Sequence, residues 1–181
     1  MDILDIIRTR RSIRKYKSEA VPDDSIAKIL EAGRWAPSGG NIQPWRFVVV
    51  KHQATLDVIR KVSPGYLGAT PTAIAICSDR ATAQAKGGRL GRDYLTIADC
   101  SMAAENMLLA AHSLGLGACP IKSFSTAALK EILELPEGIE PELILIIGYP
   151  DETPKAPPKH PLEKIAFLDK YGKAWPGSKG D

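Results

Sequence analysis

The stretch from Asp93 to Leu114 is apolar almost throughout, and its polar residues Asp99, Asn106 and Ser113 recur every seven positions, with Glu105 and His112 alongside. Seven residues is close to two turns of an α-helix. These side chains therefore share a narrow stripe on a rod whose other sides are apolar. A helix of that kind needs other elements around most of its circumference, so it belongs at the centre of a domain. Its acids, amide and imidazole also argue against a simple membrane span.

The remaining chain supplies those elements. Asp2 to Arg8 reads as a short amphipathic helix with Ile3, Leu4, Ile6 and Ile7 on its inner side. Val21-Pro22-Asp23-Asp24 opens a second, acid-capped helix that ends near Gly33-Arg34-Trp35. Trp45 to Val50 is a buried strand by its β-branched and aromatic content. Residues 53–62 read as a helix, Thr72 to Cys77 as a strand, and Leu116 to Ile121 as another. Thr126 to Leu133 reads as a helix and Glu142 to Ile147 as a fourth strand. Strands alternate with helices, which gives an α/β (α+β) class built on one sheet. Ser78 to Arg92 is polar, contains glycine, and sets Arg80, Lys86, Arg89 and Arg92 against Asp79. It reads as a mobile excursion that gates a cleft or attracts phosphates. The proline-rich tail, 151–181, reads as extended and must run over a surface, its own or a partner's.

At 181 residues, with 44% apolar content, the chain fits a single domain, 1–181, with a real core. A net charge of +3 says little about nucleic acid or membranes. Cys77, Cys100 and Cys119 are odd in number, far apart and set in apolar runs, so buried reduced thiols are expected. The first residues carry two acids and no apolar core of signal-peptide type. The expectation is a soluble, cytoplasmic protein with no membrane partner.

Two segments carry the chemistry. Arg10-Arg11-Ser12-Ile13-Arg14-Lys15 is a dense cation cluster with a hydroxyl. Arg10, Ser12 and Arg14 alternate, so in an extended chain they face one side and suit a phosphate. The competing reading is a solvated basic turn, with Arg10 and Arg11 complementing the end of the preceding helix. Ala36-Pro37-Ser38-Gly39-Gly40-Asn41-Ile42-Gln43-Pro44-Trp45 has glycines that admit a close ligand, and Ser38, Asn41 and Gln43 to bond a flat polar heterocycle or hydroxylated chain. Its bland reading is a capping loop before a strand. Together the segments suggest a phosphorylated cofactor. No GxGxxG follows a strand, and no P-loop, HExxH or GxSxG occurs; His52, His112 and His160 are scattered. With neither a protein nucleophile nor a metal cluster, a cofactor must carry any chemistry.

Arg10 to Arg14 and Ala36 to Trp45 resemble the flavin-dependent nitroreductase family. Asp99 to Ala111 is similar to its central helix, and Gly115-Leu116-Gly117, Pro120 to Phe124, Gly148-Tyr149-Pro150 and Pro158 to Glu163 follow in the family's order. The resemblance implies a mixed central sheet flanked by helices and a homodimer in which the C-terminal extension is exchanged. It implies FMN at the subunit interface, with phosphate contacts from Arg10, Ser12, Arg14 and Lys159, and with Arg11 in the same cofactor site. Pro37, Ser38, Gly39 and Asn41 would reach the flavin from the other subunit. Pro120, Ile121, Lys122 and Ser123 would lie at its ring, Ser123 through a backbone N–H. Where members carry acid-Gly or Gly-Gly, this chain has Lys122-Ser123, which adds either a positive field or a solvent-facing lysine. The implied activity is ping-pong transfer from NAD(P)H to a nitroaromatic, quinone or similar conjugated acceptor. Rival readings are an oxygen-dependent, flavin-consuming enzyme of the same fold, a non-catalytic FMN carrier or redox sensor, and, least of all, a nucleic-acid module using Arg10 to Lys17.

Overall fold

A computed structural model describes residues 2–178. Six α-helices and four β-strands alternate in these residues: α1 (Ile3–Thr9), α2 (Asp23–Arg34), β1 (Trp45–Val50), α3 (Gln53–Lys61), β2 (Thr72–Asp79), α4 (Arg80–Leu90), α5 (Thr96–Ser113), β3 (Gly117–Ile121), α6 (Thr126–Ile132) and β4 (Ile139–Gly148). The sheet has the order β1-β2-β4-β3, and its strands pair antiparallel. A single parallel bridge, Ser12 to Ala118, docks the N-terminal arm on the β3 edge.

Alternation along β2 and β4 divides the core. Ile74, Ile76, Leu145 and Ile147 join Ile26 and Ile29 of α2 and Cys100, Ala103 and Met107 of α5. Ala73, Ile144 and Ile146 face the opposite way, to Leu56 and Ile59 of α3 and Leu129 of α6. The result is three layers: α2 and α5, then the sheet, then α3 and α6. Cys77, Cys100 and Cys119 are free and buried, as their apolar surroundings required. Among the described residues no helix is long and apolar enough to cross a membrane.

Four features depart from the sequence reading. Ser78 to Arg92 is not a mobile excursion. Asp79 caps α4 by accepting the Thr82 N–H at 2.8 Å, and its other oxygen takes the Thr82 hydroxyl at 2.8 Å. α4 kinks at Gly88, then passes through a wide helical turn, Gly91–Leu95, directly into α5. The central helix therefore begins at Thr96, not Asp93. Arg80 fastens the join: it donates to Glu142 at 2.6 Å and to the Arg92 carbonyl at 2.6 Å. Second, Ile3, Leu4 and Ile7 of α1 are exposed rather than inward. Third, Asp99 is among the most buried residues of α5, at 1% exposure, whereas Ile97 and Met102 are open. Asp99 faces protein because a backbone donor is waiting there, whereas Glu105 and Ser113 of the same stripe are exposed. Val21 and Pro22 do lead into α2, but Asp23 and Asp24 sit in its first turn rather than capping it.

The turn between α4 and α5 gives a stability test. A side chain at Gly91 would drive its Cβ into the Ala83 carbonyl oxygen, a backbone atom that cannot rotate away. Gly91→Ala should cost about 1–3 kcal/mol, the usual range for overpacking. The expected sign is a lower urea midpoint with an unchanged slope.

Candidate cofactor site

The arm after α1 is held at the β3 edge. Ile13 donates its N–H to the Ala118 carbonyl at 3.1 Å and is buried. With Ile13 inward, alternation turns Ser12 and Arg14 outward. They line a cavity of about 610 Å³ together with Arg8, Arg10, Arg11 and, from the tail, Lys155 and Lys159. No carboxylate lines it. Glu152 fixes the arm from behind, its Oε1 accepting the N–H groups of Arg14 at 2.5 Å and Lys15 at 3.1 Å. Lys17 and Asp151 add backbone bonds to Tyr149 and Lys15. Arm and tail are thus laced together before the tail reaches the cavity.

Two neighbouring arginines divide the readings of this cluster between them. Arg11 donates to the carbonyls of Arg8 and Arg10, both at 2.7 Å, so it completes the end of α1. In Arg10, Nε and Nη1 are buried and make no hydrogen bond. Its nearest acid, Glu105, stands 3.8 Å away and is half exposed. Buried guanidinium nitrogens without acceptors are costly. Its fork matches phosphate or carboxylate oxygens, so Arg10 fits a bound anion and Arg11 serves the fold.

The glycine-rich loop stands apart. Gly40, Asn41 and Gln43 have φ of 57°, 53° and 53°, a left-handed backbone that glycine and asparagine tolerate and glutamine does not favour. Ser38 Oγ accepts the Gln43 N–H at 3.0 Å, and Asn41 Oδ1 accepts from Gln43 Nε2 at 2.8 Å. The bonds inside the loop leave Pro37, Gly40 and Asn41 exposed while Ile42 is buried as an anchor. From α5, Asp99 Oδ1 accepts the Gly39 N–H at 3.1 Å; burial pushes its carboxyl pKa up, and that hydrogen bond opposes the shift.

A third segment follows β3. Ile121 is buried, while Pro120, Lys122 and Ser123 are exposed. Lys122 pairs with the buried Glu142 at 3.4 Å and lies 5.5 Å from the centre of the Phe124 ring. It is therefore not simply a solvent-facing lysine.

Of the sequence-derived site residues, Arg10, Arg11, Ser12, Arg14 and Lys159 meet in one cavity. Pro37, Ser38, Gly39 and Asn41 do not line it, nor do Pro120, Ile121, Lys122 and Ser123. Arg8, Lys155 and Glu152 were missed. The first two were visible only as charges near a motif, and Glu152 carries no local signal because its partners lie far away in sequence. In the basic helix segment, Arg92 is paired with Asp93 at 2.7 Å, so its charge is not free for a nucleotide.

A cation-lined cavity and a separate glycine loop on a three-layer α+β fold define a class of anionic-cofactor protein. A family model described as Nitroreductase family matches residues 7–65 and 63–149. A Methanothermobacter thermautotrophicus protein, provisionally named NADH dehydrogenase/NAD(P)H nitroreductase, is 38% identical over 161 residues, covering 85% of this chain and 80% of its own length. The solved structure of an FMN-dependent nitroreductase from Clostridium difficile R20291 is 30% identical, with a TM-score of 0.80 over 93% of this chain and 99% of that one. A nitroreductase family protein from Clostridium difficile 630 is 29% identical, with a TM-score of 0.84 over 94% and 99%. The chain belongs to the nitroreductase family and is an oxidoreductase of that class.

His112 ties the arm to α5, its Nε2 lying 2.9 Å from Thr9 Oγ1. Burial, then the charges of Arg10 and Arg11, hold its pKa below the ordinary 6.5. The unfolded chain takes this proton first as pH falls, so the contribution is complete above about 6.5 and shrinks below it until the folded-state pKa is passed. The urea midpoint should therefore fall between pH 7.5 and pH 5, and His112→Gln should fall less over the same range.

Proposed function

We propose that the protein is an FMN-dependent oxidoreductase that passes electrons from NAD(P)H to a nitroaromatic, quinone or similar conjugated acceptor, with the two substrates using one cleft in turn. The observation that carries this reading is the pair of buried Arg10 nitrogens, Nε and Nη1, without hydrogen bonds at a cavity whose charged lining residues are all cations. A phosphate monoester there would satisfy both orphaned nitrogens and offset the crowding of like charge. The FMN and NAD(P)H in the names of the two relatives support the choice of cofactor and reductant. When bound, FMN supplies the electron transfer in both halves of the reaction.

The chain's own residues bind and orient. Arg10, Ser12, Arg14 and Lys159 hold the phosphate, and Arg11 keeps the end of α1 in place beneath them. Ser123 offers its backbone N–H to the ring, on a segment set by the buried Ile121 and the exposed Pro120. Lys122 lends a positive charge, tempered by its pairing with Glu142. Pro37, Ser38, Gly39 and Asn41 reach the cofactor from a second copy of the chain. No side chain serves as acid or base, and solvent supplies the protons.

The second copy is supported by two features. Asp99, which holds the loop, and Glu105, which faces Arg10, lie six residues apart on α5. At about 100° per residue they point to different sides of the helix, so the loop and arm of one chain diverge. Ile3, Leu4 and Ile7 of α1, with Tyr94, Ile97 and Met102 near or on α5, are exposed. Large exposed apolar groups in such number mark an interaction surface. The tail, with Leu162 and Ile165 exposed, lies across the partner in the homodimer.

Arg10→Ala and Arg14→Ala should each weaken FMN binding by roughly tenfold or more, since each removes charge-assisted bonds worth about 1.5–3 kcal/mol. Flavin fluorescence titration of the apoprotein measures this. Full flavin retention by both variants overturns the phosphate assignment. Leu4→Glu, on the exposed face of α1 and outside the cation-lined cavity, should yield a monomer in sedimentation equilibrium and lose FMN with the dimer; a flavin-loaded monomer overturns the shared site.

A further inference from the structure

The loop from Pro37 to Pro44 holds an improbable shape. Three of its residues, Gly40, Asn41 and Gln43, are left-handed. Such backbone persists only where the surroundings over-determine it. Its internal bonds, Gln43 N–H to Ser38 Oγ and Gln43 Nε2 to Asn41 Oδ1, set its curvature but not its place on the protein. Three contacts do that. Ile42 is buried against α4, where a Cβ on Gly87 would stand 2.8 Å from its Cδ1. Leu95 packs on Gly39 just as closely, 2.7 Å from the corresponding point. The third is polar: the Gly39 N–H to Asp99 Oδ1 bond at 3.1 Å.

Asp99 is costly for the fold. It is 1% exposed, and its Oδ2 is buried with no hydrogen-bond partner. No cation is paired with it among the described ion pairs. A half-satisfied buried carboxylate lowers stability relative to an apolar residue of similar size. A residue retained solely to pack α5 would be apolar, like its neighbours Cys100 and Ala103.

We propose that Asp99 is a positioning residue for the flavin: its carboxylate fixes the Gly39 amide, and through it the left-handed turn that presents Ser38 and Asn41 to the FMN shared with the second copy. This rests on the FMN reading given above. The carboxylate touches neither flavin nor substrate. It sets the loop before binding, so ordering the loop is not charged against affinity. The cost falls on the stability of the helix instead.

The test separates clamp from packing with Asp99→Leu, which fills the volume without an acceptor, and Asp99→Asn, which keeps a carbonyl for Gly39. Hydrogen–deuterium exchange of the peptide spanning residues 36–44 in the FMN-free protein reads the clamp directly. Asp99→Leu should exchange faster there, bind FMN on the order of tenfold more weakly, and melt no lower than the wild type. Asp99→Asn should restore both protection and affinity to within about threefold. The proposal is overturned by unchanged exchange in Asp99→Leu, or by wild-type FMN affinity despite faster exchange. A clear drop in melting temperature matched by Asp99→Asn also overturns it, because that is the signature of a purely structural residue. If the wild type itself takes no FMN, the cofactor reading fails, while the exchange comparison still decides whether Asp99 holds the loop.

Discussion

The packing of α5 against one face of the sheet is the constraint on which the site depends. Cys100, Ala103, Met107, Leu108 and Ala111 are buried in that contact, and together they fix both the height and the rotation of the helix. Its polar residues are then aimed without further choice. Asp99 meets Gly39, Asn106 donates to the Ala32 carbonyl at 3.2 Å, and His112 meets Thr9. Glu105, seven residues before His112 and on the same side of the helix, faces Arg10. One helix thus sets the glycine loop, the end of α2 and the cation arm relative to one another. A rotation by a single residue, about 100°, would break all of these contacts at once.

How much of this was legible in the sequence follows from how local each signal is. The arm was readable because Arg10, Ser12 and Arg14 alternate about a buried Ile13, and alternation is a property of neighbours. Which arginine faces the anion was not readable, since Arg11 differs from Arg10 only in the carbonyls within its reach. Asp99 was recognised as part of a stripe, but a stripe does not say whether it faces water or a backbone amide. That answer lies with Gly39, sixty positions away. Ile3, Leu4 and Ile7 have the spacing of an inner face and are exposed. Amphipathic spacing reveals that a face wants cover; it does not say whether the cover belongs to the same chain.

The segment after β2 shows the same limit from the other side. Its glycines and cations suggested mobility, but Asp79 three residues before Thr82 is a helix start that sequence alone displays. The larger influence was Glu142, 4% exposed in the middle of the sheet. Its carboxylate collects the Ser78 hydroxyl at 2.7 Å, Arg80 at 2.6 Å and Lys122 at 3.4 Å. A buried carboxylate must be satisfied by several donors, and satisfying this one pins β2, α4 and the turn after β3 together. The basic charge that looked free is in part spent inside the protein.

Orphaned polar atoms sharpen the functional reading. Buried nitrogen or oxygen atoms with no partner are few in well-folded proteins, and each one asks for a reason. Here they include Arg10 Nε and Nη1 and Asp99 Oδ2. Ser63 and Thr72 contribute one hydroxyl each, a milder cost because a neutral group is cheaper to bury than a charge. The charged orphans fall one on the cation arm and one beneath the glycine loop, the two parts that the proposed shared site assigns to different copies. Local rules of stability are broken where binding needs groups left available and backbone held ready. A chain selected for folding alone would have no use for two buried guanidinium nitrogens without hydrogen bonds or for a carboxylate under a strained turn. Both make sense when the arm of one protomer and the loop of its partner close on the same anion-bearing cofactor.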